Sequence, residues 1–440
     1  MRRRRTSART VAAVLAGAIG AAALAAPWWV SAPGRDPTRS PLHAEAIGVI
    51  AEQREVLDAT RLAELRPGTR ALDDATATTQ LRWLAGGTVP GAGTPWQPMV
   101  RTALLDLHVL TLGTDPGEAA AIAAWSTRWR FVWPRDAAFV AAAYAVTGHP
   151  DDAARVLAFL QRVQPTSGRF QARYLPDGSG GVPDERGEEA DGAGWTLWAL
   201  ARVTATDPAL TGRFHPLLVR STRACLDSLA AGRDGLPAPG LDYWEVPTGR
   251  VTLGVAAPAL AGLEAAVPLL RDRGETELAD RAERAATDLD RAITSVFAPS
   301  GYPREAGGVH RDAAVTFLLP PFRTPSAATY PAIRRAWLSA QQELLRPAGG
   351  LAPGARWRAD GISWTPETAL FALTAAASSE PSDHAVARHW LDWLDTHRTK
   401  GGALPEKVLR DGSPGSAAPL AWTAALTVLT VAVLSAPPAA

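Results

Sequence analysis

Apolar residues recur at three- and four-residue spacing in twelve stretches of this 440-residue chain: 44–65, 97–112, 136–147, 151–163, 193–204, 210–230, 252–271, 275–297, 326–345, 364–377, 384–397 and 419–435. That period belongs to α-helices, and no stretch shows the sustained alternation of a half-buried strand. Breakers part the stretches, among them Gly148-His149-Pro150, Asp234-Gly235-Leu236-Pro237, Pro299-Ser300-Gly301 and Pro347-Ala348-Gly349-Gly350. The pattern predicts an all-α chain. With no composition break and no Pro- or Ser-rich linker, it predicts one domain over 35–440. Helices joined in pairs can close into a double ring, six inside and six outside. Inner helices are then apolar nearly all round, as 136–147 and 419–435 are. The second could pass for a membrane span, but Thr423, Thr427 and Thr430 mark it as a buried helix.

Residues 1–34 read as a targeting segment. Arg2 to Arg5 form a basic start, Val11 to Ala26 an apolar run, and Ala23-Leu24-Ala25 offers small residues for a signal peptidase. The alternative is an uncleaved signal anchor, with residues 11–30 attached to the membrane and Trp28 and Trp29 at its interface. Either reading exports the rest of the chain, secreted or held on the outer face of the membrane. A net charge of +1 carries no nucleic-acid footprint. Cys225 is the single cysteine, so neither an intramolecular disulfide nor a zinc–thiolate cluster can form. His310 stands beside Arg311 and Asp312 without a second histidine at ligand spacing, so no metal is expected. Asp73-Asp74 and Asp151-Asp152 read as helix-start acids and not as a cation-generating Asp-rich run.

The segments between helices carry an unusual mixture. They hold Trp133-Pro134-Arg135-Asp136, Asp191-Gly192-Ala193-Gly194-Trp195, Leu241-Asp242-Tyr243-Trp244-Glu245, Arg356-Trp357-Arg358-Ala359-Asp360 and Leu404-Pro405-Glu406. Tryptophan faces stack on the C–H patches of pyranose rings, while Arg and Asp fork onto hydroxyls. Five such segments in one helical frame suit a carbohydrate ligand. Glycoside hydrolysis needs two carboxyl groups flanking the scissile bond, one protonated and one ionised. Glu245, after Tyr243 and Trp244, suits the protonated role, because burial against aromatics disfavours the anion. Glu406, beside Lys407, suits the ionised one. Local sequence does not by itself select these two among 44 acidic residues.

The order and spacing of the motifs, over roughly 100–435, resemble the glucoamylase family, glycoside hydrolase family 15. Trp133-Pro134-Arg135-Asp136 is similar to the family's Trp-x-Arg-Asp loop, whose Arg and Asp hold the terminal glucose. Glu189-Ala190-Asp191-Gly192 resembles the Asp-Gly segment opening the next inner helix. Asp242-Tyr243-Trp244-Glu245 resembles the segment with the general acid, and Arg356 to Asp360 another that lines the glucose site. Leu404-Pro405-Glu406, followed by Pro419-Leu420-Ala421-Trp422-Thr423, resembles the base loop and the start of the last inner helix. The resemblance implies an (α/α)6 barrel and cofactor-free, inverting hydrolysis of α-glucosidic bonds at the non-reducing end of oligo- or polysaccharides. It assigns Glu245 as acid and Glu406 as base, with Trp133, Arg135, Asp136, Asp191, Asp242, Trp244, Arg356, Asp360 and Trp422 on the sugar. A monomer is expected, without the β-sandwich or starch-binding module that some members carry.

The chain departs from the family at three places. Val246-Pro247-Thr248 follows the acid, Gly361-Ile362-Ser363-Trp364-Thr365-Pro366 replaces the family's Gly-Asn-Pro-Trp region, and Lys407 stands where Gln is common. These changes leave linkage and chain length open, trehalase- and dextran-type α-glucosidases included. They also motivate an alternative, a non-catalytic carbohydrate-binding protein of the cell surface on the same fold. For the catalytic reading, inversion requires carboxyl groups roughly 6.5–9.5 Å apart, and Glu245 is expected to be the more enclosed of the two.

Overall fold

The computed structural model describes residues 40–436; the targeting segment predicted over 1–34 lies outside them. Among the described residues the helices are α1 (Asp74–Ala85), α2 (Gln97–Leu110), α3 (Pro134–Val146), α4 (Pro150–Val163), α5 (Gly192–Thr206), α6 (Leu210–Arg213), α7 (His215–Ala230), α8 (Leu253–Asp272), α9 (Thr276–Phe297), α10 (Tyr330–Leu344), α11 (Thr365–Ala376), α12 (Pro381–Thr396) and α13 (Ala421–Ser435). Six inner members pack side to side in a closed circuit: α3, α5, α8, a short 3-10 turn at Ala313–Leu318, α11, α13 and back to α3. Outside them lie α2, α4, α7, α9, α10 and α12. This is the all-α (α/α)6 toroid expected from the sequence.

Composition explains which helix goes where. In α3 every residue from Pro134 to Ala145 is buried, and in α11 every residue is. These helices have no polar face to offer water, so only an inner position suits them. The outer α4 and α9 alternate a buried stripe with exposed charge, such as Leu278, Ala282, Leu289 and Ile293 in α9. The inner α8 is long and apolar enough to cross a membrane, yet most of its apolar window is buried inside the protein. Cys225 is buried in α7.

Two inner helices approach at glycines. A Cβ on Gly194 of α5 would meet the Pro258 carbonyl oxygen of α8 at 2.2 Å, and one on Gly262 would meet the Gly194 oxygen at 2.6 Å. Backbone cannot yield as a flexible side chain does. We therefore expect Gly194→Ala to cost about 1–3 kcal/mol through overpacking, read as a lower denaturation midpoint at unchanged helix content.

The helix expected over 44–65 is a correction. There the chain forms a hairpin, β1 (Ala46–Ile50) and β2 (Gln53–Leu57), followed by a 3-10 turn at Arg61–Glu64. Ile47 and Val49, two apart, share a buried cluster with Ala44 and Val109, so a period of two prevails over the helical one. Ala51 and Glu52, at φ 44° and 69°, make the turn. Two further small sheets also contradict the strand-free expectation. One is β3 (Thr111–Asp115) with β4 (Glu118–Ala121); the other is β5 (Ser363–Trp364), β6 (Lys407–Val408) and β7 (Pro414–Gly415). The last sheet ties the start of α11 to the Glu406 segment. Asp73 does act as a helix-start acid, accepting from the Thr76 amide to cap α1.

Candidate active site

Each inner member before α13 is followed by an outer helix that returns the chain, so the inner helices run parallel and their N-termini share one end of the toroid. The predicted segments precede or open these helices. Helix N-termini carry partial positive charge and favour carboxylates, and this end is rich in them.

The segment leading into α3 holds both candidate catalytic carboxylates. The Trp133 indole N–H donates to Glu245 Oε1 at 2.7 Å, and the Trp129 indole N–H donates to Glu406 Oε1 at 3.2 Å. Two residues distant in sequence thus flank one strip of chain. Glu406 also accepts from the Ser416 hydroxyl, and its Oε2 lies 3.4 Å from Lys407 Nζ. The second oxygen of Glu245 is bound by the Arg186 guanidinium.

Glu245 stands at φ 54° and Ser416 at φ 66°, left-handed backbone that non-glycine residues rarely adopt. Such conformations cost of order 1–3 kcal/mol and persist where surroundings over-determine them. At Glu245 those surroundings centre on Asp242, which is fully buried. Its carboxylate accepts from the Trp244 amide (3.0 Å), the Thr252 hydroxyl (2.7 Å) and both terminal nitrogens of Arg304 (2.8 Å). The Glu245 amide donates to the Asp242 carbonyl at 2.7 Å. Arg304 also pairs with Asp312 at 2.9 Å and stacks on Trp244, 3.8 Å from its ring centre. Trp244 lies against Gly354, where a Cβ would meet the indole at 2.3 Å, and meets Trp357 edge-on at 4.9 Å.

Arg135 sits among three carboxylates. It pairs with Glu189, with Asp191 Oδ2 at 3.4 Å and with Asp136 Oδ1 at 3.3 Å, and it stacks over Trp422 at 4.8 Å. Burial works against its charge, yet the three carboxylates hold the guanidinium above its usual range. Burial raises the carboxyls in turn: Asp136 and Asp191 to about 6, and Glu189 well above the ordinary value. One guanidinium cannot balance three buried anions, so the cluster retains protons into the neutral range.

The structure draws together Trp133, Arg135, Asp136, Asp191, Asp242, Trp244, Glu245, Glu406 and Trp422, but not all in the expected manner. Asp191 and Asp242, predicted to touch sugar, are 0% exposed and face protein partners. Arg356 is exposed, and no described ion pair or hydrogen bond ties it to the cluster. Asp360 is spent on its own turn, accepting from the Ile362 amide at 3.0 Å. Trp357 is what the 356–360 segment contributes, touching Trp244 and Trp364. The expected enclosure is reversed as well: the Glu245 side chain is 19% exposed and that of Glu406 12%. Glu245 lies in a surface-reaching loop, whereas the Glu406 segment is clamped between α11 and α13.

Sequence reasoning missed Trp129, Arg186, Arg304 and Glu367. Trp129 carries one faint signal, its place four residues before Trp133. Glu367, in the first turn of α11, reads locally as a helix-start acid, but it is 3% exposed. Among the described residues no group of three or more His, Cys, Asp or Glu side chains is arranged to hold a metal ion.

No protein-family model matches the chain, and no curated protein does by sequence. Solved structures do. A glycosidase aligns at 17% identity over 82% of this chain and 99% of its own, with a TM-score of 0.63. A bacterial glucoamylase complexed with acarbose aligns at 17% identity over 82% of this chain and 59% of its own, with a TM-score of 0.64. The glucoamylase of Saccharomycopsis fibuligera aligns at 14% identity over 76% of this chain and 94% of its own, with a TM-score of 0.61. At such identities the likeness establishes the fold.

Proposed function

We propose that the chain is an exo-acting, inverting α-glucosidase of the glucoamylase type, with Glu245 as general acid and Glu406 as general base. The observation that carries this reading is the pair of indole bonds from Trp133 and Trp129, which set two carboxyl groups on one strip of the barrel mouth. Glu406 accepts from the Trp129 indole and the Ser416 hydroxyl and lies beside Lys407, partners that fix it for the role of a base. Arg135 and Asp136 follow Trp133 on the same strip, Asp136 within electrostatic range of Glu406, so that a glucose ring there would meet a guanidinium, a carboxyl and the Trp422 face. The glycosidase and glucoamylase folds of the structural neighbours agree with this assignment.

Catalysis then runs in one displacement. Glu406 takes a proton from water as the water attacks the anomeric carbon, and Glu245 gives its proton to the leaving oxygen. Arg186 occupies the Glu245 oxygen opposite Trp133, so proton delivery requires the guanidinium to yield that oxygen. The same ion pair favours a second reading, carbohydrate binding without hydrolysis, since an arginine partner suits a carboxylate and not an acid.

Maltose, isomaltose, trehalose, dextrin and dextran, screened by released glucose and by proton NMR of the first product, separate the readings. We expect glucose release from at least one, with the β-anomer appearing first. An α-anomer first would overturn inversion. Saturable binding with no release from any of the five would favour the non-catalytic reading. We further propose that residues 35–440 form the catalytic domain and work outside the cell, on the strength of the targeting pattern in 1–34.

A further inference from the structure

The proposed reaction uses two carboxyl groups, yet a third is buried beside the base. Glu367 lies in the first turn of α11, and Thr365, two residues earlier, donates its amide to the Glu406 carbonyl at 3.1 Å. The Thr365 hydroxyl bonds the Pro405 carbonyl and lies 2.7 Å from the Thr423 hydroxyl of α13. The start of α11 is thus sewn to the Glu406 segment. We infer that Glu367 is a positioning residue for Glu406, a buried carboxyl that holds the base segment in place without competing for its partners. The inference deepens the proposed function and rests on it for the role of Glu406.

Two carboxyls within electrostatic range and out of water cannot both ionise cheaply, so a proton stays on the one whose anion is worse served. Glu406 has the Trp129 indole N–H, the Ser416 hydroxyl and the Lys407 ammonium. Glu367 is 3% exposed, and its Oε2 has no hydrogen-bond partner. The charged groups facing it are Glu406, Arg135 and Lys407. Arg135 is already committed to Glu189, Asp191 and Asp136, and Lys407 to Glu406 and the Trp364 ring at 4.3 Å. The other inner neighbours of α11 bring no ionisable side chain: α13 has none, nor does the 313–318 turn. On the outer α12 the buried residues are apolar except Asp383, which pairs with Arg334 near the far end of α11. Burial, with a smaller push from Glu406, raises the Glu367 carboxyl to about 8.

Below that pH Glu367 is neutral and leaves Lys407 to Glu406. Above it, a second anion would repel Glu406 and compete for Lys407 and Arg135. The test pairs kcat/KM profiles on the best substrate with infrared titration of the full chain. Two ionisations should shape the alkaline side of the wild-type profile, that of the acid Glu245 and that of Glu367 near 8, so that past 8 the loss steepens by about a further tenfold per pH unit. Glu367→Gln, neutral at every pH and of the same shape, should lose the added step near 8 and keep the limb of Glu245, and Glu367→Asp should restore a second step. In the infrared, wild type should show a protonated-carboxyl band that titrates near pH 8 and is absent from Glu367→Gln. An unchanged alkaline limb in Glu367→Gln, or Glu367 ionising in the ordinary carboxyl range, would overturn the inference. The infrared arm needs no turnover. A band near pH 8 in a protein that hydrolyses nothing would uphold the protonation of Glu367 and sink the proposed function, and with it the role toward a base. A Glu367→Gln chain that fails to fold leaves the wild-type titration to decide, aided by Glu367→Asp.

Discussion

Glu406→Gln is expected to lower kcat by roughly 10²–10⁴-fold, the usual worth of a positioned acid or base, with substrate affinity nearly unchanged. The amide is the same size; its oxygen can still accept from the Trp129 indole, and its NH2 can donate to the Ser416 hydroxyl oxygen. What it cannot do is take a proton from water. An interaction made only in the transition state shows as a loss in kcat, not in KM. Glu245→Gln should lose a comparable factor for the converse reason, having no proton to give. The two variants differ in rescue: azide, a nucleophile that needs no base, should partly restore turnover in a Glu406→Ala variant and yield a β-glucosyl azide. Steady-state kinetics, with thermal unfolding to confirm folding, provide the test. Full activity in either Gln variant would remove that residue from the mechanism.

The largest effect on stability is expected at Arg135. The guanidinium is 4% exposed and is the common partner of Glu189, Asp191 and Asp136. Arg135→Met keeps the stem but strands three buried carboxyls, and losing one partner of a buried ion pair costs about 3–5 kcal/mol. With Arg135 present, burial already places Asp136 and Asp191 near 6. Without it their folded-state values rise further above those of the unfolded chain. The folded variant then binds protons that the unfolded chain has released, so its stability falls as pH rises through the neutral range. Denaturant midpoints should show a larger deficit at pH 7.5 than at pH 5. A deficit equal at both would mean that lost packing on Trp422, and not stranded charge, sets the cost.

Much of this architecture is legible in the residues. A run such as Ala421 to Val431, apolar on every face, has only the inner ring to go to. The hairpin at 46–57 was not legible as such, because Ala and Glu in its turn and Leu57 at its end also satisfy a helical period. Its strand pairing and its packing on Val109 decided the matter. In the site, Glu245 and Glu406 stand out through their motifs. Glu367 does not, since an acid in a first helical turn is an ordinary sight. Its burial is a property of its neighbours on α13 and the Glu406 segment.

Periodicity and breakers determine by themselves that the chain is a succession of helices joined by Trp-, Arg- and acid-bearing segments, and the family resemblance adds the toroid. These are local properties, fixed by how often an apolar or polar residue returns. Which carboxyl meets which cation was left to the tertiary structure. Trp133 and Glu245 are 112 residues apart, Trp129 and Glu406 277, and Arg186 reaches Glu245 across 59. Charge and desolvation act through space, and closing the ring converts these sequence separations into hydrogen bonds. Only then is Asp242 fully buried against Arg304, and Glu406, not Glu245, the more enclosed of the pair.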